Sequence, residues 1–198
     1  MPNVFCLATI LERFFMQNLA AIILAAGEGK RVGKAKWQLL FQGQTFLDCI
    51  VSKIISAGIV DIVCVARENS LPFDKRIKIA INTTPENGMI SSIFYGVKAL
   101  TDFAGYLIFP VDHPEINSAT LMQLQSAFIK NPKSVFIPQY QNRSGHPIII
   151  PKHIAKQILA DDYVGGLKEF LKNLGEKIAY VPVSDQGVLK NINYLHEL

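Results

Sequence analysis

LAAIILAAGEGKRVGKAKWQLL, residues 19–40, decides the fold. Its first eight residues, 19–26, are all apolar with no polar alternation, the pattern of a strand buried on both faces of a parallel sheet. The run then breaks into Gly27, Gly29 and Gly33, interleaved with Lys30, Arg31, Lys34 and Lys36. Glycines let backbone N–H groups close on phosphate oxygens while the cations neutralise them. The competing reading is an ordinary strand-to-helix turn whose lysines are merely solvated, and Lys30 and Lys34 are read that way. The G-x-G-x-x-x-G spacing misfits the dinucleotide fingerprint, and no Ser or Thr follows Gly33-Lys34 as a Walker A loop requires.

Further short apolar runs lie downstream: VDIVCVA (60–66), RIKIAIN (76–82), AGYLIFP (104–110), SVFIPQ (134–139), HPIII (146–150) and IAYVPV (178–183). All are expected as strands buried on both faces. Helical spacing separates them in TFLDCIVSKIISAG (45–58), stopped by Gly58, in SSIFYGVKAL (91–100), and in SATLMQLQSAFIK (118–130) with Ser118 as N-cap. Pro151 is placed in the first turn of a helix continuing through KHIAKQILA, and GGLKEFLKNLG (165–175) forms a last helix ending on Gly175. The alternation predicts an open α/β fold with a mostly parallel sheet. Such sheets bind ligands beyond the carboxyl ends of their strands, which directs attention to the loops after residues 26, 82 and 110.

With 198 residues, 49% apolar and 18% charged, the chain suits one compact domain, and no repeat, linker or low-complexity tract divides it. Twenty basic and sixteen acidic side chains give a scattered formal +4, which suits small anionic ligands and leaves no nucleic-acid footprint. Cys6, Cys49 and Cys64 lack C-x-x-C spacing and sit in apolar surroundings, so they read as buried thiols of a cytoplasmic protein. No apolar run approaches the ~20 residues of a membrane span. The start, MPNVFCLATILERFFMQN, has no basic residue ahead of its apolar run and is interrupted by Glu12-Arg13, which argues against an export signal.

Residues 24–40 also resemble the LAAGxGxRMGxxKxLL signature of the molybdenum cofactor cytidylyltransferase branch of the MobA-like NTP transferases, with Val32 in place of Met. Four later stretches carry the resemblance onward: ENGMISSIFYGV (86–97), FPVDHPEI (109–116), SGHPIII (144–150) and QGVLKNINYLHEL (186–198). The resemblance implies a three-layer α/β/α sandwich of glycosyltransferase-A type spanning 16–198. Residues 1–15 are then an extension outside the catalytic fold, with Met16 as the functional start.

The same resemblance implies transfer of a nucleoside monophosphate from an NTP, with CTP favoured, to a phosphate-bearing acceptor of molybdopterin type. Mg²⁺ is the expected cofactor, with Mn²⁺ as substitute, and a molybdoenzyme or its chaperone is a candidate protein partner. Arg31 is assigned to the departing pyrophosphate, Lys36 to charge at the α-phosphate, and Asp112 to the metal. Leu24, Ala25, Ala26, Gly27 and Gly29 line the nucleotide. Ser92 and Gly96, four apart on one helix face, match base and ribose contacts, close helix packing being the alternative. His146 orients the acceptor or simply begins a strand. Asn82 reads as a turn residue. His113, His153 and His196 lack zinc-ligand spacing.

Two departures qualify the resemblance. Asp161 and Asp162 match the branch's GDxGAR pattern only loosely. Asn191 and Asn193 replace the DID aspartates and resemble the NIN of the guanylyltransferase branch, so Asn193 is a metal ligand without charge. The same fold acting on a phospho-sugar or phospho-alcohol, and a nucleotide-binding accessory protein without turnover, are the competing functions. A nicotinamide-dependent oxidoreductase is disfavoured by the glycine spacing.

Overall fold

The computed structural model describes residues 18–27, 34–68, 74–160, 166–174 and 177–192. The expectations for Cys6, Gly29, Arg31, Asp161, Asp162, Gly175, Asn193 and the 1–15 extension lie outside them.

The apolar runs become strands where expected. In chain order these are β1 (Leu19–Leu24), the small hairpin β2 (Leu40–Phe41) and β3 (Gln44–Thr45), then β4 (Ile62–Ala66), β5 (Lys78–Ile81), β6 (Gly105–Pro110), β7 (Val135–Tyr140), β8 (Arg143–Ser144), β9 (Ile148–Pro151) and β10 (Ile178–Pro182). The helices are α1 (Phe46–Ser56), α2 (Met89–Ala99), α3 (Ser118–Lys130), α4 (Lys152–Ala160) and α5 (Leu167–Leu174). The main sheet runs β10-β7-β9-β6-β1-β4-β5, with β8 paired to β7. Its pairings are parallel except around β9, which is antiparallel to both β6 and β7, and at β8.

Helices cover both faces, because strands such as β1 are buried on both sides and need an apolar layer against each. Leu19, Ala21, Ile23, Leu107 and Phe109 pack on one face with α1 (Phe46, Ile50, Ile54) and α3 (Leu121, Leu124, Phe128). Ala20, Ile22, Tyr106 and Ile108 pack on the other with α2 (Ile90, Ile93, Val97), α4 (Ile154, Ile158) and α5 (Leu167, Phe170). The three-layer α/β/α sandwich is therefore present. Truncating a fully buried Phe46 or Phe128 to Ala carries a cost of about 3–5 kcal/mol.

Local signals explain most boundaries. Thr45 accepts a hydrogen bond from the Asp48 N–H as N-cap of α1, and Gly58, at φ 88°, turns the chain out of that helix. Three expectations are corrected. Ser118 is the first residue of α3 and not its cap: Asn117 holds the cap position, and Asp185 reaches across to accept from the Asn117 N–H and the Thr120 hydroxyl, both at 2.8 Å. Pro151 ends β9, and its helix starts one residue later, at Lys152. Strands β5 and β10 are not buried on both faces, because each is a sheet edge; Ile79 and Ile81 stay 36% and 39% exposed.

Strand order positions the site. The chain leaves β1, builds β4 and β5 on one side, then crosses back through α2 to place β6 on the other side of β1. The reversal puts a crevice at the carboxyl ends of β1 and β6, where Leu24 stands opposite Pro110.

Candidate active site

Ala25, Ala26 and Gly27 continue β1 beyond the sheet, and Val111 and Asp112 continue β6 beside them. Backbone bonds fix the two exits: Ala25 N–H donates to the Val65 carbonyl at 2.8 Å, and Val111 N–H to the Leu24 carbonyl at 3.1 Å. A cleft of about 360 Å³ opens here, lined by Leu24, Ala25, Ala26, Gly27, Lys36, Arg67, Ser92 and Asp112, with Gly88 and Met89 at the start of α2. Gly27 is exposed, with nothing within 4 Å of where a Cβ would stand, so a ligand can approach its backbone closely.

Lys36, on a single 3₁₀ turn, places its ammonium 2.8 Å from Asp112 Oδ2, each side chain 20% exposed. Asp112 is shared with a second cleft of about 310 Å³, whose walls include His113, Arg143, Ser144, Gly145, His146, Val188 and Asn191. Met89 and Pro110 also face both spaces. One carboxylate thus stands at the junction of two clefts, one made by strand ends and one by loops.

The second cleft is tied together from distant segments. His146 N–H donates to the Val188 carbonyl at 2.9 Å, and Ile192 N–H to the Asp112 carbonyl at 2.8 Å. Asp185 also accepts from the Gly187 N–H, and Lys190 pairs with Glu115 at 2.9 Å. The His113 and His146 rings meet edge to face with centroids 5.3 Å apart. Nδ1 of each is buried and makes no hydrogen bond among the described residues. Burial lowers both imidazole pKa values, that of His146 to about 4 with His113 adding to the shift and Asp112 opposing it. Burial thus favours the neutral form of both rings.

Most of the expected residues within the described ones divide between the two clefts. Leu24, Ala25, Ala26, Gly27, Lys36, Ser92 and Asp112 converge on the first cleft, and His146 and Asn191 on the second. Gly96 does not converge: a Cβ there would lie 2.3 Å from Ile22 Cγ2, so this glycine serves close packing of α2 on the sheet. Asn82 forms the expected turn by accepting from Thr84 N–H, and its amide also donates to the Ser91 and Ser92 hydroxyls, each at 2.9 Å. It thereby fixes Ser92 at the cleft. Cys49 and Cys64 are buried free thiols as expected, and burial pushes the Cys64 pKa up to about 12. Sequence reasoning missed Arg67, whose Nε donates to the Ala26 carbonyl at 2.7 Å, and Arg143. Arg67 was findable, since it directly follows β4 at the ligand-bearing end of the sheet.

Known proteins of similar sequence and shape agree with this architecture. A relative from Methanocaldococcus jannaschii, named "Probable molybdenum cofactor guanylyltransferase", is 24% identical over 91% of this chain and 96% of its own. The "Nicotine blue oxidoreductase" of Paenarthrobacter nicotinovorans is likewise 24% identical, over 91% of this chain and 94% of its own. The solved structure of a nucleotidyl transferase from Methanothermobacter superposes with a TM-score of 0.74 at 19% identity, covering 90% of this chain and 93% of that one. The family model described as the MobA-like NTP transferase domain matches residues 21–178, taking in both clefts except the closing 186–191 segment, and the chain belongs to that family.

Proposed function

We propose that this protein transfers a nucleoside monophosphate from an NTP to a phosphate group on a small acceptor of molybdopterin type, releasing pyrophosphate. The observation that carries the reading is the junction at Asp112: two clefts, sized for two small substrates, share one carboxylate that faces a lysine ammonium at 2.8 Å. An oxygen of the acceptor phosphate attacks the α-phosphorus, and the bond to the β-phosphate oxygen breaks as pyrophosphate leaves. Both reactants are anions, so alignment and charge neutralisation supply the acceleration. Lys36 lies where it can follow charge on the α-phosphate. Gly27 and its neighbours give the triphosphate backbone access. Arg31 belongs, in this reading, to the departing pyrophosphate.

Asp112 suits a Mg²⁺ site of the kind that uses one or two carboxylates together with substrate phosphates. Among the described residues there is no cluster of three or more His, Cys, Asp or Glu to hold an ion independently of substrate. When bound, Mg²⁺, or Mn²⁺ in its place, offsets charge on the phosphates. Asn193 belongs beside it in the same reading. The free, buried thiols suit a cytoplasmic setting.

CTP is the proposed nucleotide, on the strength of the Ala26 methyl in the cleft wall. The guanylyltransferase name of the Methanocaldococcus relative favours GTP as a second reading. A pyrophosphate-release screen of four NTPs against molybdopterin-type and sugar-phosphate acceptors, with Mg²⁺ or Mn²⁺, tests the proposal. Release with a molybdopterin-type acceptor supports it, and absence of release with every pair overturns it. NADH consumption in parallel tests the oxidoreductase alternative that the Paenarthrobacter relative's name raises.

A further inference from the structure

Asp112 and Arg143 are the acidic and basic residues that line the second cleft. Asp112, the acidic residue among its described walls, is already matched by Lys36 at 2.8 Å. The His113 and His146 rings are deeply set and meet edge to face. Arg143 is the basic residue of those walls. Its guanidinium forms no hydrogen bond or ion pair among the described residues, in a molecule where Arg76 and Lys190 have both found carboxylates.

Its backbone is held firmly for so exposed a residue. Arg143 pairs with Tyr140 across a two-residue turn whose central residues, Gln141 and Asn142, both take positive φ (47° and 62°), the geometry that closes tight hairpins. Just beyond, Gly145 N–H donates to the Pro138 carbonyl at 2.9 Å, and His146 N–H to the Val188 carbonyl at the same distance. The backbone that carries the arginine is thus fixed between β7 and the 186–191 segment. Ser144 and Asn191 line the same space with neutral donors, and Met89, Val188 and Leu189 supply apolar wall.

We propose that Arg143 is the phosphate-binding residue of the second cleft, and that its ligand is a phosphomonoester of a small organic molecule. A planar guanidinium matches two phosphate oxygens at once, and the apolar wall of Met89, Val188 and Leu189 admits the organic remainder. This specifies the acceptor class and rests on reading the second cleft as the acceptor site. It adds a specificity residue that neither the glycine-rich loop nor the His-Pro motif contains.

Phenyl phosphate titrated into the full-length protein and followed by ³¹P line broadening tests it, with phenol as the uncharged control. Wild type should bind phenyl phosphate saturably, and should still do so with CTP or GTP present at saturation. Arg143→Gln should weaken that binding about tenfold or more, and Arg143→Lys should recover part of it. Equal binding by wild type and Arg143→Gln, no binding by wild type, or complete displacement by nucleotide each overturns the assignment. If Arg143→Gln melts early, Arg143→Lys, which keeps the charge, decides the matter: binding weaker than wild type's at a normal melting temperature supports the assignment, and undiminished binding overturns it. Failure of wild type to bind any NTP overturns the nucleotidyltransferase reading separately, while the phenyl phosphate titration still decides Arg143.

Discussion

Along the first cleft, Leu24 to Gly27 and Val111-Asp112 prolong two adjacent parallel strands, whereas the second is assembled from His113, the β8 hairpin and residues 186–191, segments far apart in sequence. Register sets positions in the first: once Leu24 pairs with Pro110, the loop and the carboxylate have to meet. In the second, position comes from cross-links, with Asp185, Lys190 and the Val188 carbonyl tying one segment to the next. Side chains of the first cleft can therefore change chemistry without changing the fold. Changes in the second should disturb stability and ligand binding together.

The largest expected effect is at the shared carboxylate. Asp112→Asn should abolish metal-dependent turnover, and Lys36→Ala should lower kcat on the order of 10²–10³, the scale of losing one preorganised charge-stabilising group. Both side chains are partly exposed, so the ion pair itself should contribute no more than about 1 kcal/mol to stability. Steady-state kinetics and urea melts on the same samples check this. A Lys36→Ala protein turning over within threefold of wild type, or one unfolding several kcal/mol early, would erase the distinction between the clefts.

Acid should expose the second cleft next. The His146 imidazole falls from its usual 6.5 to about 4 in the folded protein, chiefly through burial. Between those values the unfolded chain takes up a proton that the folded one refuses, so stability is complete above pH 6.5 and falls with pH down to about 4. The loss from this one group is at most about 3 kcal/mol, and His113 pulls in the same direction. Urea unfolding from pH 7.5 to pH 4 should show the slope, and His146→Gln should flatten it. An unchanged slope in that variant would mean other groups carry the acid sensitivity.

Gly145→Ala separates the clefts by sterics. A Cβ there would sit 2.1 Å from the Val188 carbonyl oxygen, and backbone cannot yield as a flexible side-chain end can. Overpacking of this kind costs about 1–3 kcal/mol. Acceptor KM should rise while nucleotide KM stays put, and equal changes in both would show the two spaces to be mechanically one.

What the sequence could announce follows the same division. The uninterrupted run LAAIILAA and its fellows announced buried strands, since burial on both faces removes any need for polar alternation. Direction and edge position leave no such mark: β9 is as apolar as the parallel strands of the sheet although it runs against both its neighbours, and β5 and β10 look like core strands although they lie at the rims. Asp112 and Lys36 were legible because each sits in a local motif at a strand end. Ser118 was misread as a cap because the side chain that serves this helix start, Asp185, lies 68 residues from the Asn117 N–H it accepts from. Arg143 and the buried neighbourhood of His113 escaped for the same reason, being defined by segments that only the fold brings together.

The smallest expected effect, and the finest division of the first cleft, is at Ala26. It lies at the β1 exit and is only 6% exposed, and its carbonyl is held by Arg67 Nε at 2.7 Å, so replacing it with Gly should leave the loop in place and remove one methyl from the wall. A methyl-sized change in a pocket is worth about 1–3 kcal/mol, and the lower end corresponds to about tenfold. Wild type should accordingly favour CTP over GTP by about that factor, and Ala26→Gly should raise kcat/KM for GTP while leaving CTP nearly unchanged. The measurement is kcat/KM for CTP, GTP and ATP with a working acceptor in both proteins. GTP used as well as CTP by wild type would place the base with the guanylyltransferase-named relative and against the methyl. A CTP preference that survives in Ala26→Gly would keep the base and move its cause elsewhere in the cleft, with Ser92, fixed by Asn82 on the same wall, as the next side chain to change.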